Sequence, residues 1–228
     1  MLYEWIGGQR RQPRERGERT TCTCCGSSLV AVLPKVNVAH WRHPAGDCDP
    51  WSEPEGEWHL GWKERFPIEW REFPMAEGDP LERHRADVFC TPPTGWHTVV
   101  ELQHSSIAEH ERDRREAFYA RNGRRMFWLV DVHDEYSFNA TTLSLSWTKE
   151  RPIVVGHQTF WVMRWHGRSK QFIEKWKRSA VHVFLTIGPN VLYLATRAGA
   201  PQLHASLRPG EFAVCALTPD AFVAACSG

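Results

Sequence analysis

The stretch "RMFWLVDV" (125–132) limits this chain more than any other. It is long enough for a strand and carries apolar side chains without alternation, so both of its faces must be covered. Upstream lies "HTVVELQ" (97–103), a second strand pattern. Between them runs a polar, arginine-rich stretch closed by Asn122-Gly123. That spacing predicts a helix from about Ile107 to Arg121, with Ser105 or Ser106 as its cap and the Asn-Gly pair as its stop. Strand, helix and doubly covered strand require an α/β arrangement in which helices flank a mixed central sheet. "IEWREF" (68–73) and "RADVFC" (85–90) supply two further strands, and the Gly/Pro loop at 91–95 suggests a hairpin into 97–103.

With 228 residues the chain can bury a substantial core. The composition suggests a strand and small module over 1–50, an α/β core over 51–135, and a β-rich α+β extension over 136–228 packed on that core. In the extension, strands are expected over 152–165, a short helix over 168–180, and a hairpin over 181–195 turning at Gly188-Pro189-Asn190. Thr218-Pro219-Asp220 marks a last helix start. In the core, "EPEGEWHLGWKERF" (53–66) reads as a helix with Ser52 as its cap.

A net charge of +1 gives no global preference for an acidic partner, although arginines crowd residues 10–19 and 112–125. Seven cysteines, three of them within "CTCC" (22–25), argue against a secreted disulfide framework and for a metal site in a reducing compartment. No apolar run approaches the roughly 18 residues needed to span a bilayer, so a cytoplasmic chain without membrane contact is expected.

The chemistry concentrates in acidic residues. Asp87 and Glu101 fall in consecutive predicted strands, where facing side chains come within about 5 Å, so the two carboxylates could share one hard cation. Magnesium or manganese suits such a pair, because it completes its shell with water and phosphate oxygens and can activate a water for attack. Gln103 shares a strand face with Glu101 and can orient a water, though it cannot donate charge. Glu55, His59 and Lys63 stand at i, i+4 and i+8 of the predicted helix, as a third metal contact and two phosphate contacts. A solvent-facing stripe is the competing reading of that helix. Arg112, Arg115 and Tyr119 could meet a phosphate or stack on a base, or form the wet face of their helix.

Taken in order, "RADVFC", "VVELQHSSI" and "FYARNGRRMFWLV" resemble the competence protein CoiA family, a branch of the PD-(D/E)xK nucleases. The family's Cys-x-x-Cys, His-rich strand and Glu/His/Lys helix have counterparts in Cys22 to Cys25, His40 to His43, and Glu55, His59 and Lys63. The resemblance runs over roughly residues 20–132. It implies a restriction-endonuclease-like core, Asp87, Glu101 and Gln103 at the site, Glu55 as a metal ligand from the helix, and glutamine where related nucleases carry lysine. Gly56 and the extra Cys24 depart from the pattern.

Cys22 and Cys25 followed by Gly26 form a knuckle, and with His40 and His43 they have the spacing of a closed tetrahedral zinc site. Cys24 could stand in for Cys22, and Cys48 for His43. Such a zinc would serve folding. The expected activity is metal-dependent hydrolysis of DNA, with RNA as the second substrate, in DNA uptake, recombination or anti-phage defence. A nucleic-acid-binding or interaction subunit without catalysis is the rival. A homodimer or a larger defence or recombination complex is the expected assembly.

Overall fold

The computed structural model describes residues 1–46, 48–51, 55–75, 82–132, 145–147, 152–165 and 170–228. The chain forms two compact units, Met1–Thr91 and Pro92–Gly228. The sequence reading sets its joints near 50 and 135. Among the described residues, no helix is long and apolar enough to cross a membrane.

The first unit opens with a hairpin of β1 (Glu4–Ile6) and β2 (Gln9–Arg11), turned by Gly7 and Gly8 with φ of 57° and 81°. Only glycine adopts two successive left-handed residues at no steric cost, which is why the pair sits there. A three-stranded antiparallel sheet follows: β3 (Arg19–Thr21), β4 (Ser28–Val32) and β5 (His40–Arg42). Its core is Cys22, Cys24, Leu29, Ala31 and Trp41. β2 and β3 are three-residue polar strands with no periodic signal in the sequence. Helix α1 spans Glu57–Lys63. Its N-cap is the extended Gly56, so Glu55 precedes the helix rather than starting its stripe, and the Ser52 cap lies outside the described residues. A 3-10 turn at Ile68–Trp70 leads into β6 (Arg71–Met75), which pairs antiparallel with β7 (His84–Cys90).

The second unit is organised by the buried run. Strand β8 (Thr98–Gln103), helix α2 (Glu109–Arg121) and β9 (Arg125–Asp131) follow the strand–helix–strand order read from the sequence, and the two strands pair in parallel. The helix stops at Asn122 and Gly123, the glycine at φ 63°, and the Arg124 N–H reaches back to the Tyr119 carbonyl at 2.9 Å. Its N-cap is Ala108 with no side-chain cap, so neither serine takes that role.

Beyond β9 come β10 (Leu145–Trp147), β11 (Ile153–Val155), β12 (Gln158–Trp165), helix α3 (Lys170–Lys177), the hairpin β13 (His182–Ile187) and β14 (Asn190–Leu194), helix α4 (Pro201–Ser206), β15 (Glu211–Leu217) and helix α5 (Pro219–Ser227). Within this unit the sheet order is β10-β12-β15-β14-β13-β9-β8, with β11 on β12. β13 lies parallel to β9, pairing Thr186 with Asp131. The strands after β9 thus continue the mixed sheet that contains it. Thr218 caps α5, its Oγ1 accepting the Ala221 N–H at 3.1 Å, as its sequence signal predicts.

Candidate nuclease centre and metal group

In the first unit, three carboxylates converge on one ammonium. Lys63, 2% exposed at the end of α1, places Nζ 2.7 Å from Glu55, 3.3 Å from Glu72 and 3.1 Å from Asp87. Burial works against the lysine's charge, but Asp87, Glu72 and Glu55 together outweigh it and hold its pKa above the ordinary value. The acids divide the opposite way. Burial, with Glu72 beside it, pushes Glu55 up to about 8 against the pull of Lys63. Glu72 is buried too, yet Lys63 keeps it below the usual carboxylate range. Near neutrality Glu55 therefore holds a proton while Glu72 is ionised.

Sequence reasoning missed Glu72, which looks like an ordinary polar position in "IEWREF". Its backbone is left-handed at φ 48°, rare for a residue with a side chain. Its Oε2 accepts the N–H groups of Leu2 and Tyr3 at 2.7 and 3.0 Å. His59, offered by the sequence to phosphate, is 4% exposed and packs edge-on to Trp58.

A cleft of about 880 Å³ opens beside Glu55, lined among others by Val36, Val38, His40, Arg42 and Leu60. Val36 is 94% exposed on its wall.

A second group lies in the same unit. The metal-binding atoms of Cys22, Cys25, His43 and Cys48 all fall within 4.8 Å of one another. The knuckle forms as expected: the Gly26 N–H bonds the Cys22 carbonyl at 2.9 Å, and Gly26 has φ 75°. His40 is outside this group. It sits in β5 with Nδ1 on the Val38 carbonyl at 3.0 Å, and the loop after His43 returns Cys48 to within 3.9 Å of Cys22. His43 stays, 3.3 Å from Cys25. Three thiols and one imidazole this close fit tetrahedral zinc, with no position left open for a substrate. The hydrogen bond with Cys48, together with burial, pushes the Cys22 thiol up to about 12, so metal loading must displace protons.

Around this group, Arg85 places Nη2 3.5 Å from the Cys22 sulfur and 2.8 Å from Glu4, and Nη1 3.0 Å from the Glu72 carbonyl. Asp49, next to Cys48, accepts the Arg85 N–H at 2.7 Å and meets His84 at 3.1 Å. The strand that carries Asp87 is thus clamped by the loop that carries a metal ligand. Partners outside a ligand set commonly orient it in this way.

In the second unit, Glu101 is 4% exposed; it accepts the Tyr119 hydroxyl at 2.7 Å and faces Arg115 at 3.8 Å. Gln103 Nε2 donates to the Ser105 carbonyl at 3.0 Å. Arg112, Arg115 and Tyr119, read as nucleic-acid contacts, are 1%, 7% and 0% exposed. The fold turns them inward. Tyr119 and Arg115 brace Glu101, while Arg112 bonds Asp113 and the Lys175 carbonyl.

Residues 79–183 match the family described as competence protein CoiA, nuclease-like domain. This segment is CoiA-like. It contains Asp87, Glu101 and Gln103; Glu55, Lys63, Glu72 and the thiol group precede it. No curated protein and no solved structure matches the chain.

Proposed function

We propose that the chain is a divalent-metal-dependent nuclease that hydrolyses phosphodiester bonds, with DNA as its substrate. The observation that carries this reading is the convergence of Glu55, Glu72 and Asp87 on the Lys63 ammonium, with Asp87 inside the CoiA-like segment. Carboxylate oxygens are hard donors, so this donor set fits Mg²⁺ or Mn²⁺. When bound, such an ion supplies charge to the phosphate and acidity to a water. Asp87, Glu101 and Glu55 are the proposed ligands, carried over from the sequence reading; within the first unit Glu72 anchors Lys63 beside Glu55 and Asp87.

Lys63 takes the role that Gln103 cannot. Its permanent charge, 3.1 Å from Asp87, can balance negative charge growing on the phosphate, while the Gln103 carboxamide orients the attacking water. The cleft beside Glu55 offers His40 and Arg42 to the flanking phosphates and Val36 and Val38 to a base. Zinc held by Cys22, Cys25, His43 and Cys48 would stabilise the module that forms the cleft wall.

The test is cleavage of single- and double-stranded DNA and RNA with Mg²⁺ or Mn²⁺, comparing wild type with Asp87→Ala and Glu101→Ala. Cleavage abolished in both variants, with folding and binding retained, is the expected result. Metal-independent binding without cleavage under any divalent ion would favour the second reading, a binding or interaction subunit, for which Gln103 in place of lysine is the supporting feature.

A further inference from the structure

In the second unit, the loop before β8 and the turn after α2 border a recess of about 520 Å³, lined by Gly95, Trp96, His97, Gly123, Arg124 and Arg125. Trp96 stands 70% exposed there, while Thr98, Val99 and Val100 just after it are fully buried. An indole left this far in water forgoes the stabilisation that burying its area would contribute. We propose that the recess binds single-stranded DNA, with one base stacked on Trp96 and the adjoining phosphate held by Arg124. This rests on the reading of the chain as acting on DNA, and it names the form of the substrate.

The lining selects the ligand class. Its side chains are aromatic or basic, and none of the described residues that line it is acidic. Such a set suits an anion joined to a flat ring, which is a nucleotide. The volume lies within the roughly 300–1,000 Å³ of small-ligand sites, room for about one unpaired nucleotide. A duplex does not offer what Trp96 needs, because its bases are already stacked within the helix. A single strand can turn a base out onto the ring. Every base has a π-face, so the recess reads strandedness and not sequence.

Both walls are fastened to α5. A Cβ on Gly95 would lie 3.5 Å from the Gly228 Cα and 3.6 Å from the Ser227 carbonyl oxygen, so this loop packs on the helix end. Opposite it, Arg125 donates from Nη2 to the Ala225 carbonyl at 2.7 Å and lies 4.6 Å from the Phe127 ring centroid. Arg125 is thus committed to the fold. The Arg124 backbone is fixed by its N–H on the Tyr119 carbonyl at 2.9 Å, which gives its side chain a set origin. Walls already held lower the ordering cost of binding. The arginine-rich stretch that the sequence offers to phosphate therefore presents its cation from the turn that ends α2, not from the helix face that is buried.

The experiment measures binding by fluorescence anisotropy, with Ca²⁺ in place of a metal that supports cleavage. The probes are an oligothymidine of about 16 nucleotides, the long end of a single-strand site, and a duplex of the same length. The proteins are wild type, Trp96→Ala, Trp96→Phe, Arg124→Ala and Arg124→Lys, with folding checked by circular dichroism. Trp96→Ala should weaken single-strand binding about 5- to 150-fold, the loss of one stacked base, and leave duplex binding unchanged. Trp96→Phe should recover most of that affinity, and the strand should quench its tryptophan fluorescence less than it quenches wild type. Arg124→Ala should lower the slope of log affinity against log salt by about 0.7, one phosphate's share in a single strand, and Arg124→Lys should keep it. Wild-type affinity in Trp96→Ala overturns the subsite, as does a duplex bound more tightly than the single strand. An oligouridine of equal length bound more tightly than the DNA overturns DNA as the occupant. Wild type that binds the strand through Trp96 but cleaves nothing with Mn²⁺ sinks the nuclease reading and leaves the subsite standing. Wild type that binds no nucleic acid overturns both.

Discussion

Replacing Lys63 with methionine keeps most of the stem's volume and removes the charge to which three carboxylates point. Losing one partner of a buried ion pair costs about 3–5 kcal/mol, because the remaining charge stays desolvated. The three acids do not contribute equally. Glu55, pushed up to about 8, carries a proton at pH 7 and loses little. Asp87, with its side chain 23% exposed, keeps some solvent screening. Glu72 bears most of the loss, being 2% exposed and ionised. The low end, about 3 kcal/mol, is expected. For a chain of this size, at about 2–4 °C per kcal/mol, the melting temperature should fall by about 6–12 °C. Two internal controls follow. Adding Glu72→Gln should recover part of the stability, since it deletes the stranded charge. Ca²⁺, which can neutralise the carboxylates without supporting cleavage, should stabilise Lys63→Met more than wild type. Scanning calorimetry of the three proteins with and without Ca²⁺ reads all of this. A drop under about 2 °C, or a Ca²⁺ gain equal in wild type and variant, would refute the assignment of Lys63 as the counter-cation of this cluster.

Cys48→Ser should lower bound zinc and His40→Ala should leave it unchanged, as measured by metal analysis of purified protein; the reverse result would restore the ligand set suggested by spacing. Lys175 titrates near 8 when folded and near its ordinary 10.5 when unfolded, so the unfolded chain binds more protons between those values and stability should rise with pH across that window. Lys175→Met should abolish the rise in urea melts taken from pH 7.5 to 10.5. Glu116→Ala should cost more than about 3 kcal/mol in the same melts, because Glu116 accepts from Trp128 at 3.0 Å, Ser179 at 2.7 Å and the Ala180 N–H at 2.8 Å, and the variant removes all three of these buried bonds. Tyr119→Phe should cost about 1–3 kcal/mol by removing the donor to Glu101; no change would mean that the pair is dispensable for folding.

The elements with the longest apolar runs were the legible ones. β9 could be read as a doubly covered strand because no solvent-facing side chain interrupts Met126 to Val130. The stops and caps at Gly123, Gly188 and Thr218 follow from local backbone chemistry, which needs no tertiary context. Facing direction was harder. Helix α2 is polar on most of its circumference, so its pattern could not say that Arg112, Arg115 and Tyr119 face inward. That inward face is set by Glu101 and Glu116, two acids that themselves need buried partners. Glu72 escaped for a related reason: a glutamate in an alternating strand defaults to solvent, and only the left-handed backbone and the distant Lys63 reverse this. Spacing likewise chose His40 over Cys48, because a histidine pair three residues apart is visible in one dimension and a returning loop is not.

Residue 85 ties these segments together. One guanidinium reaches a ligand thiol of the metal group, the Glu4 carboxylate and a strand carbonyl, and its own amide is held by the residue next to Cys48. Two positions on along the same strand stands Asp87. Disorder introduced at the sulfurs, by oxidation or by chelation, therefore has only one residue to travel past before reaching the acid on which the proposed reaction depends. A chain built this way would couple the proposed cleavage to the state of its thiols, and a chelator or oxidant should weaken that cleavage by displacing strand β7 without touching the carboxylates at all.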